Sequence, residues 1–162
     1  MTRIGLLSDT HNCWDDRYLF HFADCDEIWH AGDIGSGLIV DRLQEHRPVR
    51  AVCGNIDGRD LRLRFKDILK FRIEDCNVIM THIGGYPGRY DSSVRSMLYT
   101  EKPQLFIAGH SHILKVMFDS SIGCLHINPG AAGRQGWQKV RTLIKFTIDG
   151  KEIKDLEVVE LG

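Results

Sequence analysis

The chain has 162 residues, 43% of them apolar, and a formal net charge of −1. That length predicts one domain over residues 1–162 with room for a sizeable core. The near-neutral balance supplies no field to draw in long nucleic acids or acidic membranes. No apolar run approaches the roughly 20 residues of a membrane span, and the first residues enter a strand without a signal-peptide pattern. The five cysteines are odd in number and show no CxxC spacing, which suits reduced thiols in a cytoplasmic protein better than a disulfide framework.

Arg3 to Ser8 reads as an apolar strand closing at Asp9-Thr10-His11. Trp14, Tyr18, Phe22 and Cys25 form a helical stripe over residues 14–26. Glu27 to His30 is a short strand ending at Gly32-Asp33. A second helix around Leu38, Ile39 and Leu43 stops near Pro48, and Val49 to Cys53 runs into Gly54-Asn55. Such strand–helix–strand units imply a buried, largely parallel sheet. Leu61, Leu63 and Phe65 alternate with Arg62, Arg64 and Lys66, which predicts a half-exposed strand. Ile68 to Ile73 and Val78 to Met80 form a strand pair about a turn at Asp75-Cys76-Asn77, ending at Thr81-His82. Ser92 to Tyr99 predicts a short helix, and Leu105 to Ala108 a buried strand that ends at Gly109-His110-Ser111-His112. Two hairpins close the chain. One runs from Lys115 to Ile127 through Asp119-Ser120-Ser121, the other from Val140 to Val159 through Asp149-Gly150, a type I′ signal. The whole predicts two packed sheets with helices on their outer faces.

The chemistry sits at the strand ends: Asp9, His11, Asp33, Asn55, His82, His110 and His112. In sheets flanked by helices, ligands gather at the carboxyl ends of strands. Singly, Asp9 and Asp33 read as helix caps and Asn55 as a turn residue; it is the conjunction that points to a metal site. Seven O/N donors are too many for one tetrahedral ion and suit two ions sharing a bridge, with Asp33 the carboxylate placed to span them. Donors of this kind accept Mn²⁺, Fe or Zn²⁺ in preference to Ca²⁺, and the absence of thiolates argues against a structural zinc site.

Asp9-x-His11, Gly32-Asp33, Gly54-Asn55, Thr81-His82 and Gly109-His110-Ser111-His112, in this order over residues 3 to about 130, resemble the calcineurin-like metallophosphoesterases. The length and Asn128-Pro129-Gly130 are similar to the small single-domain bacterial and archaeal phosphodiesterase branch. The resemblance implies an α/β fold, a four-layer α/β/β/α sandwich of two mixed sheets. It also implies two divalent ions, Mn²⁺ first, with Fe, Ni²⁺ or Zn²⁺ as alternatives. Asp9, His11, Asp33 and His112 match the ligands of one ion; Asp33, Asn55, His82 and His110 match those of the other. Asn55, Asp33 and His82 are then also catalytic residues, in hydrolysis of a phosphate ester or nucleotide by metal-bound hydroxide.

Two departures bear on the substrate. Many phosphatases of the superfamily carry Gly-Asn-His, whose histidine protonates the leaving group; here the string is Gly54-Asn55-Ile56-Asp57, which favours diesters. Where the branch often has His-Gly-His, this chain has His82-Ile83-Gly84, followed by Tyr86, Arg89 and Tyr90 on a Gly-rich loop. Arg89, with Arg59 and Asn55, is a candidate for gripping substrate phosphate. Asp57 reads as orienting its turn, His30 as either a support for a ligand or a buried structural residue, and His126 as structural. The alternatives are a nuclease or nucleotide pyrophosphatase with the same centre, or a binding scaffold like the trafficking subunit of this fold in eukaryotes. A homo-oligomer is compatible with the sequence.

Overall fold

The computed structural model describes residues 1–162. One sheet contains β1 (Thr2–Leu7), β2 (Glu27–His30), β3 (Val49–Ala51), β11 (Thr142–Asp149) and β12 (Glu152–Glu160), in the order β12-β11-β1-β2-β3. The other contains β4 (Ile68–Ile73), β5 (Cys76–Thr81), β8 (Leu105–Ile107), β9 (Lys115–Asp119) and β10 (Cys124–Asn128), in the order β4-β5-β8-β10-β9. Both sheets are mixed. β1, β2 and β3 are parallel, as are β5, β8 and β10, and the remaining pairs are antiparallel. A two-stranded ribbon joins β6 (Gly85–Tyr86) to β7 (Arg89–Tyr90).

Strand alternation sorts the side chains into three cores. Ile4, Leu6, Trp29, Ile144 and Phe146 of the first sheet meet Val78, Met80, Leu105, Ile107 and Ile127 of the second between the sheets. Leu7, Ile28 and Leu143 face outward, against Tyr18 and Phe22 of α1 (Arg17–His21) and its flank, Ile39, Val40 and Leu43 of α2 (Gly37–Gln44), and Leu61 of α3 (Arg59–Arg64). Ile79 and Phe106 face outward from the second sheet against Val94 and Leu98, at the start and middle of α4 (Arg95–Glu101). Helix, sheet, sheet and helix therefore stack as four layers, as the sequence led us to expect.

Several local expectations fail for physical reasons. Residues 59–64 are helical, not extended. Leu61 and Phe65 lie four apart on one face and pack into the core, while Leu63 is 75% exposed. Asp60 in the first turn and Arg62 and Arg64 in the last turn complement the helix dipole. The first helix is far shorter than its apolar stripe, because Asp15 Oδ1 accepts from the Arg17 amide and holds the preceding segment in a turn. The β4–β5 turn is Glu74-Asp75; Cys76 pairs with Ile73 and joins the inter-sheet core. Asp91 Oδ2 accepts from Ser93 N, so α4 begins only at Arg95. In the last hairpin Asp149 pairs with Glu152, leaving Gly150-Lys151 as the turn with only Gly150 at positive φ, a type II′ pattern. No helix is long and apolar enough to cross a membrane.

Candidate metal centre

The parallel strands of both sheets end at one edge, and the segments after β1, β2, β3, β5 and β8 meet there. Backbone bonds lock them together. The Asp9 amide donates to Gly32 O (3.0 Å), His11 N to Asp33 O (3.0 Å) and Gly109 N to His82 O (2.9 Å). Asn128, the buried last residue of β10, donates through Nδ2 to Gly109 O (3.0 Å) and Ser111 Oγ (3.1 Å), which pins the His110–His112 loop. The Asp57 carboxylate accepts from Ile34 N, Gly35 N and Gly54 N, so it does orient its turn.

This convergence demands unusual backbone. Asp9, His11, Asp33, His110 and His112 all adopt positive φ, between 43° and 71°. Each such residue costs roughly 1–3 kcal/mol and is held only by its surroundings. Two glycines answer to close approach: a Cβ on Gly54 would strike Asp33 Oδ1 and its amide, and one on Gly109 would strike Ser8 Oγ.

Two groups of donors result: Asp9, His11 and His112, and Asp33, His82 and His110. Asp9 Oδ1 lies 3.2 Å from His112 Nε2 and 3.7 Å from each of His11 Nε2 and His82 Nε2. Asp33 Oδ2 lies 3.3 Å from His11 Nε2 and 3.2 Å from His82 Nε2, and so touches both groups. Asn55 Oδ1 is 3.2 Å from His110 Nδ1, and both side chains are exposed. All seven residues singled out from the sequence are thus brought to one place.

The donor set fits metal ions. Asp9 Oδ1, His11 Nε2 and His82 Nε2 are buried without any hydrogen-bond partner. A folded protein keeps such orphans rarely, and here they point at one another. The tautomers are set from behind. His82 Nδ1–H donates to Ala31 O (2.7 Å), which leaves Nε2 with its lone pair. His112 Nδ1–H donates to Gln138 Oε1 (2.9 Å), and the Gln138 amide is oriented by donation to Gly133 O and Gln135 O. Burial pushes the Asp9 and Asp33 carboxyls up, but the His112 and His82 rings close beside them outweigh it and both end below the usual range. Burial alone would lower His82; the Asp33 and Asp9 carboxylates close beside it raise it instead.

The remaining candidates divide. Arg89 lines a cavity of about 240 Å³ that His110 also borders. Arg59 does not reach the cluster. It lines a separate cavity with Gly35, Ser36 and Gly37, because it opens a helix and not a strand. His30 is a buried support: Nδ1 accepts from Gly32 N (3.1 Å), and Nε2–H meets Thr10 Oγ1 (3.0 Å). Burial holds its pKa at about 4, so the ring is neutral. Gln138 escaped notice because it lies 26 residues beyond His112 on a loop without motif or periodicity.

The family domain described as the calcineurin-like phosphoesterase superfamily domain matches residues 2–151. A probable metallophosphoesterase of Methanothermobacter thermautotrophicus is 27% identical over 98% of this chain and 92% of its own length. Another, from Methanocaldococcus jannaschii, is 32% identical over 79% of this chain and 67% of its length. In fold, the chain is similar to an archaeal phosphodiesterase (TM-score 0.78, 22% identity, 97% of this chain and 99% of that one). It is also similar to Vps29 of Chaetomium thermophilum (TM-score 0.76, 11% identity, 99% and 98%). On the match over residues 2–151, and with the donor cluster that its fold assembles, this chain belongs to the calcineurin-like phosphoesterase superfamily.

Proposed function

We propose that this chain acts as a single-domain, metal-dependent phosphodiesterase. Asp9, His11, Asp33 and His112 would hold one divalent ion and Asp33, Asn55, His82 and His110 a second, with Mn²⁺ the expected metal. The observation that carries this reading is the meeting of three buried, partnerless ligand atoms where Asp33 touches both donor groups. When bound, two such ions acidify water and offset charge growing on phosphoryl oxygens. The protein's part is positional. His82 and His112 present fixed lone pairs, Ser8 and the His110 amide hold Asp9 Oδ2 (2.7 and 3.1 Å), and the Ile56 amide holds Asp33 Oδ1 (3.1 Å). Asn55, at the exposed rim, is free to reach a phosphate oxygen with its amide NH₂.

Diesters are favoured by two features. Ile56, 47% exposed, stands where a proton-donating histidine would serve a poor leaving group. Two cavities border the cluster, one at His110 and one at Asn55 and His82, so each ester group of a diester has a place.

Hydrolysis of bis(p-nitrophenyl) phosphate, with elemental analysis of the protein, tests the reading. Chelation abolishes turnover and Mn²⁺ restores it. Asp33→Ala lowers metal content and cuts kcat/KM by about 10³, equivalent to about 4 kcal/mol of lost stabilisation. Undiminished turnover after exhaustive chelation would overturn it.

A further inference from the structure

The two cavities beside the donor cluster differ in what their walls offer. In the one at Asn55 and His82 the cation is already committed: Arg62 donates to Asp57 O, Gly54 O and Asp67 Oδ1. The cavity at His110, about 240 Å³, is lined among others by Tyr86, Arg89, Ser111, Lys115 and His126. Three of these present donors that nothing in the protein accepts. Arg89 forms no ion pair and no side-chain hydrogen bond. Lys115 has no carboxylate partner, and its Nζ sits 3.9 Å from the Tyr86 ring centroid, which steadies the ammonium without neutralising it. Ser111 Oγ already accepts from Ile113 N (3.2 Å) and Asn128 Nδ2 (3.1 Å), so its proton is left to donate.

Little on the wall competes. The single carboxylate, Asp91, is engaged through Oδ2 by Ser93 N and Oγ. His126 donates through Nδ1 to Phe106 O (3.2 Å) and contributes no charge. A guanidinium, an ammonium and a hydroxyl around one small space are the donors that a tetrahedral oxyanion uses. The volume is below the roughly 300 Å³ of a whole small-ligand site, which suits one group of a larger ligand.

We propose that this cavity receives a second phosphoryl group of the substrate, so that the preferred diester carries a phosphate beyond the one being cleaved. The inference rests on the phosphodiesterase reading and names its substrate class: a 5′-phosphorylated dinucleotide or similarly charged diester. The subsite needs Arg89, Ser111 and Lys115; His110 joins it to the reacting centre.

Matched substrates test it. With Mn²⁺ supplied, thymidylyl-(3′→5′)-thymidine and its 5′-phosphorylated form are compared by steady-state kinetics. The expected result is kcat/KM at least tenfold higher for the phosphorylated dinucleotide, expressed mainly in KM. Arg89→Gln and Lys115→Gln each bring that ratio severalfold toward one. In parallel, inorganic phosphate is titrated into ¹⁵N-labelled full-length protein under chelation. Saturable shifts at the Arg89, Ser111 and Lys115 amides are expected, and are lost in the Arg89→Gln/Lys115→Gln double variant. Equal kcat/KM for the two dinucleotides overturns the subsite, as does a titration that leaves those amides unmoved. If neither dinucleotide nor bis(p-nitrophenyl) phosphate is hydrolysed, it is the phosphodiesterase reading that falls, and the titration alone decides whether the cavity holds an anion.

Discussion

Gln138→Leu separates the two proposed ions. In the folded chain Gln138 touches only one donor of the cluster: its Oε1 accepts the Nδ1–H of His112 at 2.9 Å, and its Nε2 is tied to Gly133 O and Gln135 O. His112 in turn meets Asp9 Oδ1 and not Asp33. Leucine keeps a similar volume but removes the acceptor, so the imidazole can rotate or take the wrong tautomer. Loss of such a supporting bond typically weakens metal affinity by about 10–100-fold, or about 1.4–2.7 kcal/mol. The His112 side chain is 16% exposed, so water recovers part of the bond and the lower end, about tenfold, is expected. Calorimetric titration of chelator-stripped protein with Mn²⁺ reads both sites. One affinity falls about tenfold while the other, centred on His82 and Asn55, holds. Gln138→Glu, which keeps an acceptor, restores the loss if the loop is intact. Equal weakening of both sites, or no change in either, would refute the argument that His112 serves one ion and depends on Gln138.

Three further outcomes are expected. Ile56→His raises the ratio of alkyl monoester to diester turnover, measured as kcat/KM on matched esters; an unchanged or lower ratio removes Ile56 from the explanation of diester preference. Leu61→Ala costs about 2–4 kcal/mol in urea unfolding and Leu63→Ala under about 0.5 kcal/mol, because only Leu61 is buried in the helical face; comparable losses would favour the extended reading of this segment. Burial holds His126 at about 4, below its ordinary value of 6.5, so the unfolded chain binds the extra proton between those values. Stability is therefore full above about pH 6.5 and falls by about 3 kcal/mol as pH drops towards 4. His126→Gln flattens that slope in part, and an identical slope would show that the ring is not buried neutral.

The sequence by itself determined the fold class and the location of the centre. Short apolar runs closed by turn signals mark β1, β5 and β8 as buried strands, and the structure brings Ile4 and Leu6, Val78 and Met80, and Leu105 and Ile107 into a common core. Turn-forming residues after β1, β2, β3, β5 and β8 put Asp9, Asp33, Asn55, His82 and His110 at the carboxyl ends, where a parallel sheet gathers its ligands. These are short-range signals, carried by neighbours in the chain. What failed also has a local cause: Leu61, Leu63 and Phe65 satisfy both a two-residue and a four-residue reading. Only packing of Leu61 and Phe65 against the first sheet selects the helix, and with it places Arg59 away from the cluster. The rest belongs to tertiary structure. Which carboxylate touches both donor groups, which atoms remain without partners, and which cations are left free are properties of distances between strands far apart in sequence. Gln138 reaches His112 across 26 residues, and Arg62 and Lys115 differ only in whether an acceptor happens to fold beside them. No pattern within one segment records such meetings, because they are set by how whole layers stack.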